Sequence, residues 1–367
     1  KNKDAFSTLK YNLIDNKHHF DWPDWLDVKE HDINKILEKN QEQLKALRGH
    51  IDLVAGGPPC QGFSLAGKRD TKDIRNKLVK SYIKFIDLVQ PEALIFENVH
   101  GFTVNFKGKQ GCIKKYSSWV IEKLEGLGYK TESRIIDVSE YGVPQKRHRF
   151  ILVAMKNHNP SDVFIRLEQN KQSFCHAKGI ETSTSIREAI SDLEKSHGTC
   201  QSPDTKSFQA GLYGNIESGY QRLMRNGMEN HNGAVNSHRF VNHTDTIVQL
   251  HNDLLQNAPR GKRITPKNEI VNNLKRRGVT VLDANSQAPT ITSIPDELVH
   301  YEEPRILTVR EHARIQSFPD WYEFKGKYTS GGKRRKMEVP RYTQVGNAVP
   351  PLFAEQIGRA LMEVLNG

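Results

Sequence analysis

Short apolar runs, cut off by glycine or proline and separated by segments with helical spacing, constrain this chain most. Ile51 to Ala55 is such a run, stopped by Gly56-Gly57-Pro58-Pro59. It reads as a buried parallel strand ending in a turn. Leu78, Tyr82, Phe85, Ile86 and Val89 then fall on one helical stripe. Ala93 to Phe96 predicts a second buried strand, ending at Glu97 and Asn98. Trp119 to Leu127 predicts a helix closed by Gly128, and Arg134 to Val138 and Phe150 to Ala154 predict two further strands. Strands alternating with helices imply an α/β fold with a doubly wound, mostly parallel sheet. Ligands of such sheets sit beyond the carboxyl ends of the strands. Cys60 and Glu97 both follow such ends, so both are expected to face one cleft.

The character changes after about Asn157. From Pro160 to Asp296 the chain is polar and rich in Asn, Ser, His and Gly, which predicts a smaller lobe of irregular structure and short strands. Helical patterning returns at Leu307 to Gln316 and at Pro351 to Leu365, the last expected to pack back on the first lobe.

The formal net charge of +11 in 367 residues points to a polyanionic partner, with nucleic acid the commonest; a generally basic protein is the plain alternative. No run is long and apolar enough to span a membrane, and Lys1 to Asp4 do not open a signal peptide. The four cysteines are Cys60, Cys112, Cys175 and Cys200. None forms a Cys-x-x-Cys pair, so no metal site is expected. A reducing, cytoplasmic setting follows.

Three elements carry chemistry. In Gly56-Gly57-Pro58-Pro59-Cys60-Gln61-Gly62-Phe63-Ser64, two prolines restrict a thiol at a strand end, where a nucleophile belongs. A buried cysteine beside a tight turn is the bland alternative. Glu97, inside a cleft, can take up a raised pKa and act as a proton donor; by itself it is equally a capping or solvated glutamate. Arg147 and Arg149 in Gln145-Lys146-Arg147-His148-Arg149 share a face and suit anion or base recognition, or form a basic strand edge.

Together and in this order, these elements resemble the cytosine-C5 DNA methyltransferase family. Its Pro-Cys-Gln motif stands here as Pro59-Cys60-Gln61, its Glu-Asn-Val as Glu97-Asn98-Val99, and its Gln-x-Arg-x-Arg as Gln145, Arg147 and Arg149. Arg305 to Pro319 looks like its penultimate motif and Gln344 to Pro351 like its last. The resemblance implies a Rossmann-like catalytic and cofactor-binding domain over residues 1–159, a target-recognition lobe over 160–337, and a carboxy-terminal segment, 338–367, returning to the first domain. It implies S-adenosyl-L-methionine as cofactor and double-stranded DNA as partner, a monomer, and a possible companion restriction endonuclease. Cys60, Glu97, Arg147 and Arg149 become the catalytic group. Asp32, Gly57, Pro58, Pro59, Leu78, Asn347 and Val349 are expected at the cofactor, although Asp32 also suits the cap of a helix over Ile33 to Leu37. One departure stands out: the family's opening Gly-rich turn, near Asp-x-Phe-x-Gly-x-Gly, does not occur. Asp4 to Asn12 instead looks like the helix after the family's second strand, so weak cofactor binding by this chain is expected.

For DNA, Gln61, Ser64, Lys68 and Arg69 lie on the loop 61–75, which has the charge to close over phosphates or to remain a solvated loop. Arg260, Lys262, Arg276 and Arg277 are candidate phosphate anchors in the second lobe. Asn230, His231, Asn232, Asn236, His238, Arg239, Asn242 and His243 have the chemistry to read base edges, although each alone is as readily an ordinary loop residue. An RNA-directed relative is disfavoured by the absence of a Cys-Phe-Thr element and the long variable region. Retention of Cys60, Glu97 and Arg149 argues against a non-catalytic, DNA-binding relative, and the missing Gly-rich turn argues for one.

Overall fold

Four strands build the central sheet of the computed structural model: β1 (Leu53–Gly56), β2 (Ala93–Val99), β3 (Lys130–Asp137) and β4 (His148–Met155). The structure describes residues 2–59, 76–104, 106–107, 113–114, 116–228, 233–268, 270, 278–330, 334 and 338–367. The strand order is β1-β2-β4-β3. β1 and β2 are parallel, whereas β4 runs antiparallel to both of its neighbours. Three strands therefore point one way and β4 the other. Apolar runs carry no mark of direction; the connection 138–147 is too short for the crossover that a parallel pair would need.

Consecutive residues of β4 face opposite cores. Phe150, Leu152 and Ala154 pack with Leu94 and Phe96 against Val79, Tyr82 and Ile86 of α3 (Asn76–Val89) and Val120 and Leu124 of α4 (Tyr116–Glu125). Ile151, Val153 and Met155 pack on the other side. There they meet Val163, Phe164 and Leu167 of α5 (Pro160–Ala177), with Phe353, Ile357 and Leu361 of α9 (Pro351–Leu365). Helices on both faces make the sheet doubly wound. Each fully buried Phe or Leu contributes about 1.5–3 kcal/mol by leaving water.

Two local expectations change. β1 is half-buried, with Ala55 exposed, because it lies at the end of the strand order with one neighbour. Residues 160–177 are an 18-residue helix instead of irregular structure. Asn159 caps it, accepting from Ser161 N, and Pro160 opens the first turn. Its polar composition hides a buried stripe on one side. The polar stretch does end in a small lobe. There α6 (Asp245–Asn257) covers a sheet of β5 (Arg263–Ile264), β6 (Val279–Val281) and β7 (Leu298–Val299) in the order β7-β6-β5. Leu254, Ile264, Val279, Val281 and Val299 form its core.

The amino-terminal segment is helical, as expected. α1 (Lys3–Leu9) continues as a wider helical turn over Lys10–Asn16. Thr8 Oγ1 donates to Gln344 Oε1 at 2.7 Å and accepts from Lys325 N at 2.9 Å. The Asn12 side chain pairs both ways with the Glu323 backbone. Among the described residues no helix is long and apolar enough to cross a membrane.

Candidate active site

β1 and β2 end side by side, with Gly56 in register with Phe96, so the turn after Gly56 passes next to Glu97. Gly56 leaves no room for a side chain: a Cβ there would stand 2.3 Å from the Tyr82 ring. A Cβ on Gly57 would stand 3.1 Å from Glu97 Oε2. Asn98 points to the opposite face and donates through Nδ2 to Pro58 O at 3.0 Å, while its Oδ1 accepts from Val99 N. The turn leading to Cys60 is thus held by the strand that bears Glu97. Cys60 itself lies outside the described residues, as do Gln61, Ser64, Lys68, Arg69, Arg276 and Arg277.

Arg149 stands opposite Val99 in the β2–β4 register, one diagonal step from Glu97 on the same face. Its Nε donates to Glu97 Oε1 at 2.9 Å, and its Nη1 to His148 O at 2.8 Å. Side-chain exposures of 12% and 20% keep this pair at the surface of a cleft. Burial pushes the Glu97 carboxyl up from its ordinary value, and the charges of Arg149 and Arg147 offset that only in part. Burial thus favours the protonated form of this carboxyl more than it would for an exposed glutamate.

Arg147, grouped with the catalytic residues on sequence, has a different place. Its guanidinium is buried and donates to Ile291 O at 3.2 Å, Gly346 O at 2.9 Å and Ala348 O at 3.2 Å. Its backbone N donates to Asp137 Oδ1. It therefore ties the start of β4 to the segment carrying Asn347 and Val349, and acts as a positioning residue. Gln316 supports the same segment, donating to Val345 O and Ala348 O. Nothing local marks Gln316 as part of this scaffold, since its partners Val345 and Ala348 lie 29 and 32 positions away.

Asp32 caps α2 (Ile33–Lys39) by accepting from Asn34 N. Asn34 Oδ1 in turn accepts from Ser81 Oγ of α3 at 2.6 Å, which brings this cap to the helix turn of Leu78. Gly57 and Pro59 are exposed, Pro58, Leu78 and Val349 half-buried, and Asn347 exposed. A carboxylate, an apolar side chain and an open glycine turn, brought to one end of the sheet, fit a nucleoside with an attached amino acid.

In the second lobe Lys262 is exposed. Arg260 is exposed as well, and its guanidinium is held by Tyr301 O at 3.0 Å and Leu255 O at 2.9 Å. His238 is wholly buried, bonded to Thr308 Oγ1 and Leu193 O, and so does not reach a base. Asn236 accepts from Arg310.

The same fold occurs in solved structures. A putative DNA modification methyltransferase encoded within an E. coli prophage matches with a TM-score of 0.61 at 21% identity, over 92% of this chain and 86% of that one. The S. pombe Dnmt2 methyltransferase matches with a TM-score of 0.53 at 17% identity, over 100% and 90%. The fold is thus that of DNA-methyltransferase-like α/β proteins. The chain belongs to the C-5 cytosine-specific DNA methylase family, whose profile matches residues 16–363. It is 32% identical to the Type II methyltransferase M.DdeI of Desulfomicrobium norvegicum, over 87% of this chain and 74% of that protein. It is likewise 32% identical to M.Bpa9945I of Bacillus paralicheniformis, over 91% and 75%. Its activity class is DNA (cytosine-5-)-methyltransferase.

Proposed function

We propose that Glu97 and Arg149 grip a cytosine turned out of double-stranded DNA, beneath the turn that delivers Cys60. The Glu97–Arg149 contact at 2.9 Å, beside the Gly57 turn, carries this reading. Cytosine C5 is a weak nucleophile, and addition of the Cys60 thiolate at C6 makes it enamine-like. Glu97 meets N3 and the exocyclic amine and stabilises the proton gained at N3 during addition. Arg149 donates to O2 and fixes the ring. After methylation C5 gives up its proton to solvent, the Sγ–C6 bond breaks with Cys60 leaving as thiolate, N3 returns its proton to Glu97, and the ring regains its aromaticity. A base inside the duplex cannot reach this cleft, so flipping precedes chemistry.

S-adenosyl-L-methionine is the methyl donor we assign, supplying an electrophilic methyl group when bound. Asp32, Leu78, the Gly57-Pro58-Pro59 turn, Asn347 and Val349 are the residues that would hold it. We place target recognition after Ala177, since α5 packs on the catalytic sheet, and through residue 337. Gln61, Ser64, Lys68, Arg69, Arg260, Lys262, Arg276 and Arg277 are its proposed contacts with DNA. A cytoplasmic monomer, paired with an endonuclease of the same specificity, completes the proposal.

Bisulfite sequencing of DNA from cells expressing the protein tests the reaction and reveals the sequence methylated. Duplex DNA containing 5-fluorocytosine at that site should trap an adduct on Cys60, and Cys60→Ser should abolish it. An adduct on Cys112, Cys175 or Cys200 would overturn the assignment.

A further inference from the structure

A second cation beyond the Glu97–Arg149 pair is built to meet DNA. Arg239 lies in a stack that alternates aromatic rings and guanidinium groups. Its carbon Cζ sits 4.0 Å from the Phe208 ring centroid and 3.8 Å from that of Tyr328. Arg341 stacks on Tyr328 as well, at 4.2 Å. The two arginines differ in how their charge is met. Arg341 Nη1 pairs with Asp204 Oδ2 at 2.6 Å. Arg239 has no carboxylate within ion-pair distance among the described residues. Its hydrogen bond there is a long one, Nη1 to Thr205 Oγ1 at 3.4 Å, and its Nε is buried without a partner. Burial, only partly offset by neighbouring groups, pulls its pKa down.

The stack borders a cavity of about 690 Å³. Arg239, Asn242, Thr329, Thr343 and Asn347 line it, so the recognition lobe and the carboxy-terminal segment both contribute. Asp296 also lines it, so the lining is not uniformly basic. What singles Arg239 out is a half-buried charge, without an ion pair of its own among the described residues, whose plane is clamped between two rings. Such a group has lost the rotamer freedom that an arginine ordinarily gives up on binding. It has also lost hydration, while the Asp204 carboxylate that acts on it is paired with Arg341. Neutral hydroxyl and amide groups around a cation form the donor set that a phosphodiester accepts from.

We infer that Arg239 binds a backbone phosphate of the DNA substrate, and so sets the register of the duplex between the two lobes. Its role is in binding and carries no sequence information. The inference rests on the proposed DNA-methylating function.

The test uses the whole chain, with Arg239→Ala and Arg239→Lys. Binding to a duplex bearing the methylated sequence and to an unrelated duplex is measured across a salt series, with thermal melting in parallel. Arg239→Ala should weaken binding to both duplexes about 10-fold and reduce the slope of log K against log salt by about one. Arg239→Lys, keeping the charge, should restore the slope, and both variants should melt near the parent. An unchanged slope would overturn the inference. So would a loss confined to the cognate duplex, which would make Arg239 a base reader, or a lowered melting temperature with DNA binding unchanged in both variants. Failure of the parent chain to bind or methylate any DNA would instead sink the underlying function.

Discussion

Two glutamates of this molecule, Glu97 and Glu311, each face an arginine, and their carboxyl pKa values shift in opposite directions. At the sheet end, Glu97 meets Arg149 with both side chains still partly exposed. Around α7 (Val309–Ile315), Arg314 meets Asp320 at 2.6 Å and Asp192 at 3.1 Å, all three sealed from solvent. Arg305 makes a two-pronged contact with Glu311 in the same region, at 2.7 and 2.8 Å. Glu311 also closes the capping box with Thr308. There the paired charges and hydrogen bonds overcome burial at Glu311, whose carboxyl is held far below its ordinary range, and at Asp320, also lowered, while at Asp192 burial prevails and raises it. At Glu97 burial wins and the carboxyl rises. A carboxylate with every acceptor satisfied is locked in one state and serves the fold. One left partly satisfied can change state and serve chemistry.

The sharpest way to break the comparison is to remove Arg314. Arg314→Ala leaves two buried carboxylates with only the longer arginine contacts, Arg225 to Asp192 at 3.5 Å and Arg310 to Asp320 at 3.6 Å, and should cost about 3–5 kcal/mol of stability. Urea unfolding reads this directly, and a loss below about 1 kcal/mol would show the cluster to be dispensable. Arg149→Ala, at the exposed pair, should change the urea midpoint far less.

Glu97→Gln should do the reverse. The amide cannot stabilise a protonated N3, so the methylation rate should fall by about 10²-fold or more, equivalent to about 2.7 kcal/mol. Stability should stay near the parent, because the substitution also removes the burial penalty on the charge. Protonated Glu97 is the competent form, so the parent's rate should decline as pH rises through its elevated pKa. Glu97→Gln should lose that limb of the profile, and its survival in the variant would assign the limb elsewhere.

The sealed cluster carries its own pH signature. Burial lowers His238 to about 4, His300 to about 3 and His312 to about 4, from an ordinary 6.5. The unfolded chain therefore binds more protons than the folded one below pH 6.5. Their contribution is fully present above that pH and is lost as pH falls towards 4, at up to ~1.4 kcal/mol per pH unit for each histidine. Urea midpoints at pH 7 and pH 5 should differ accordingly. Equal midpoints would mean that the histidines are not buried neutral.

The same contrast explains what was legible beforehand. Glu97 could be read because a carboxylate follows an apolar strand, and both halves of that signal are local. Arg149 could be read by its spacing from Arg147, but the spacing could not separate their roles. Arg147 is sequestered by the carbonyls of Gly346 and Ala348, about 200 positions away. His238 has base-reading chemistry on sequence for the same reason: polarity is visible in a sequence, and the distant groups that consume it, Leu193 O and Thr308 Oγ1, are not. The helix Pro160–Ala177 was hidden by its polar composition, and the reversed β4 by the indifference of apolar runs to direction.

The smallest expected effect comes from two adjacent glycines, and it divides fold from chemistry within one turn. Gly56→Ala places a methyl 2.3 Å from the Tyr82 ring, inside the packed core between β1 and α3. The ring is held by Phe96 at 5.4 Å and cannot withdraw freely, so a loss of about 1–3 kcal/mol of stability is expected. Gly57→Ala meets only Glu97 Oε2, at 3.1 Å, in an exposed turn. A shift of a few tenths of an ångström relieves that contact, so the urea midpoint should hardly move. The displaced group, however, is the carboxyl that must meet N3, and it is already shared with Arg149. A misplacement on this scale should slow methylation by about 10-fold. Single-turnover rates and urea midpoints for both variants separate the cases. Gly57→Ala as fast as the parent would show that the Glu97 carboxyl tolerates displacement and is not aligned by the turn.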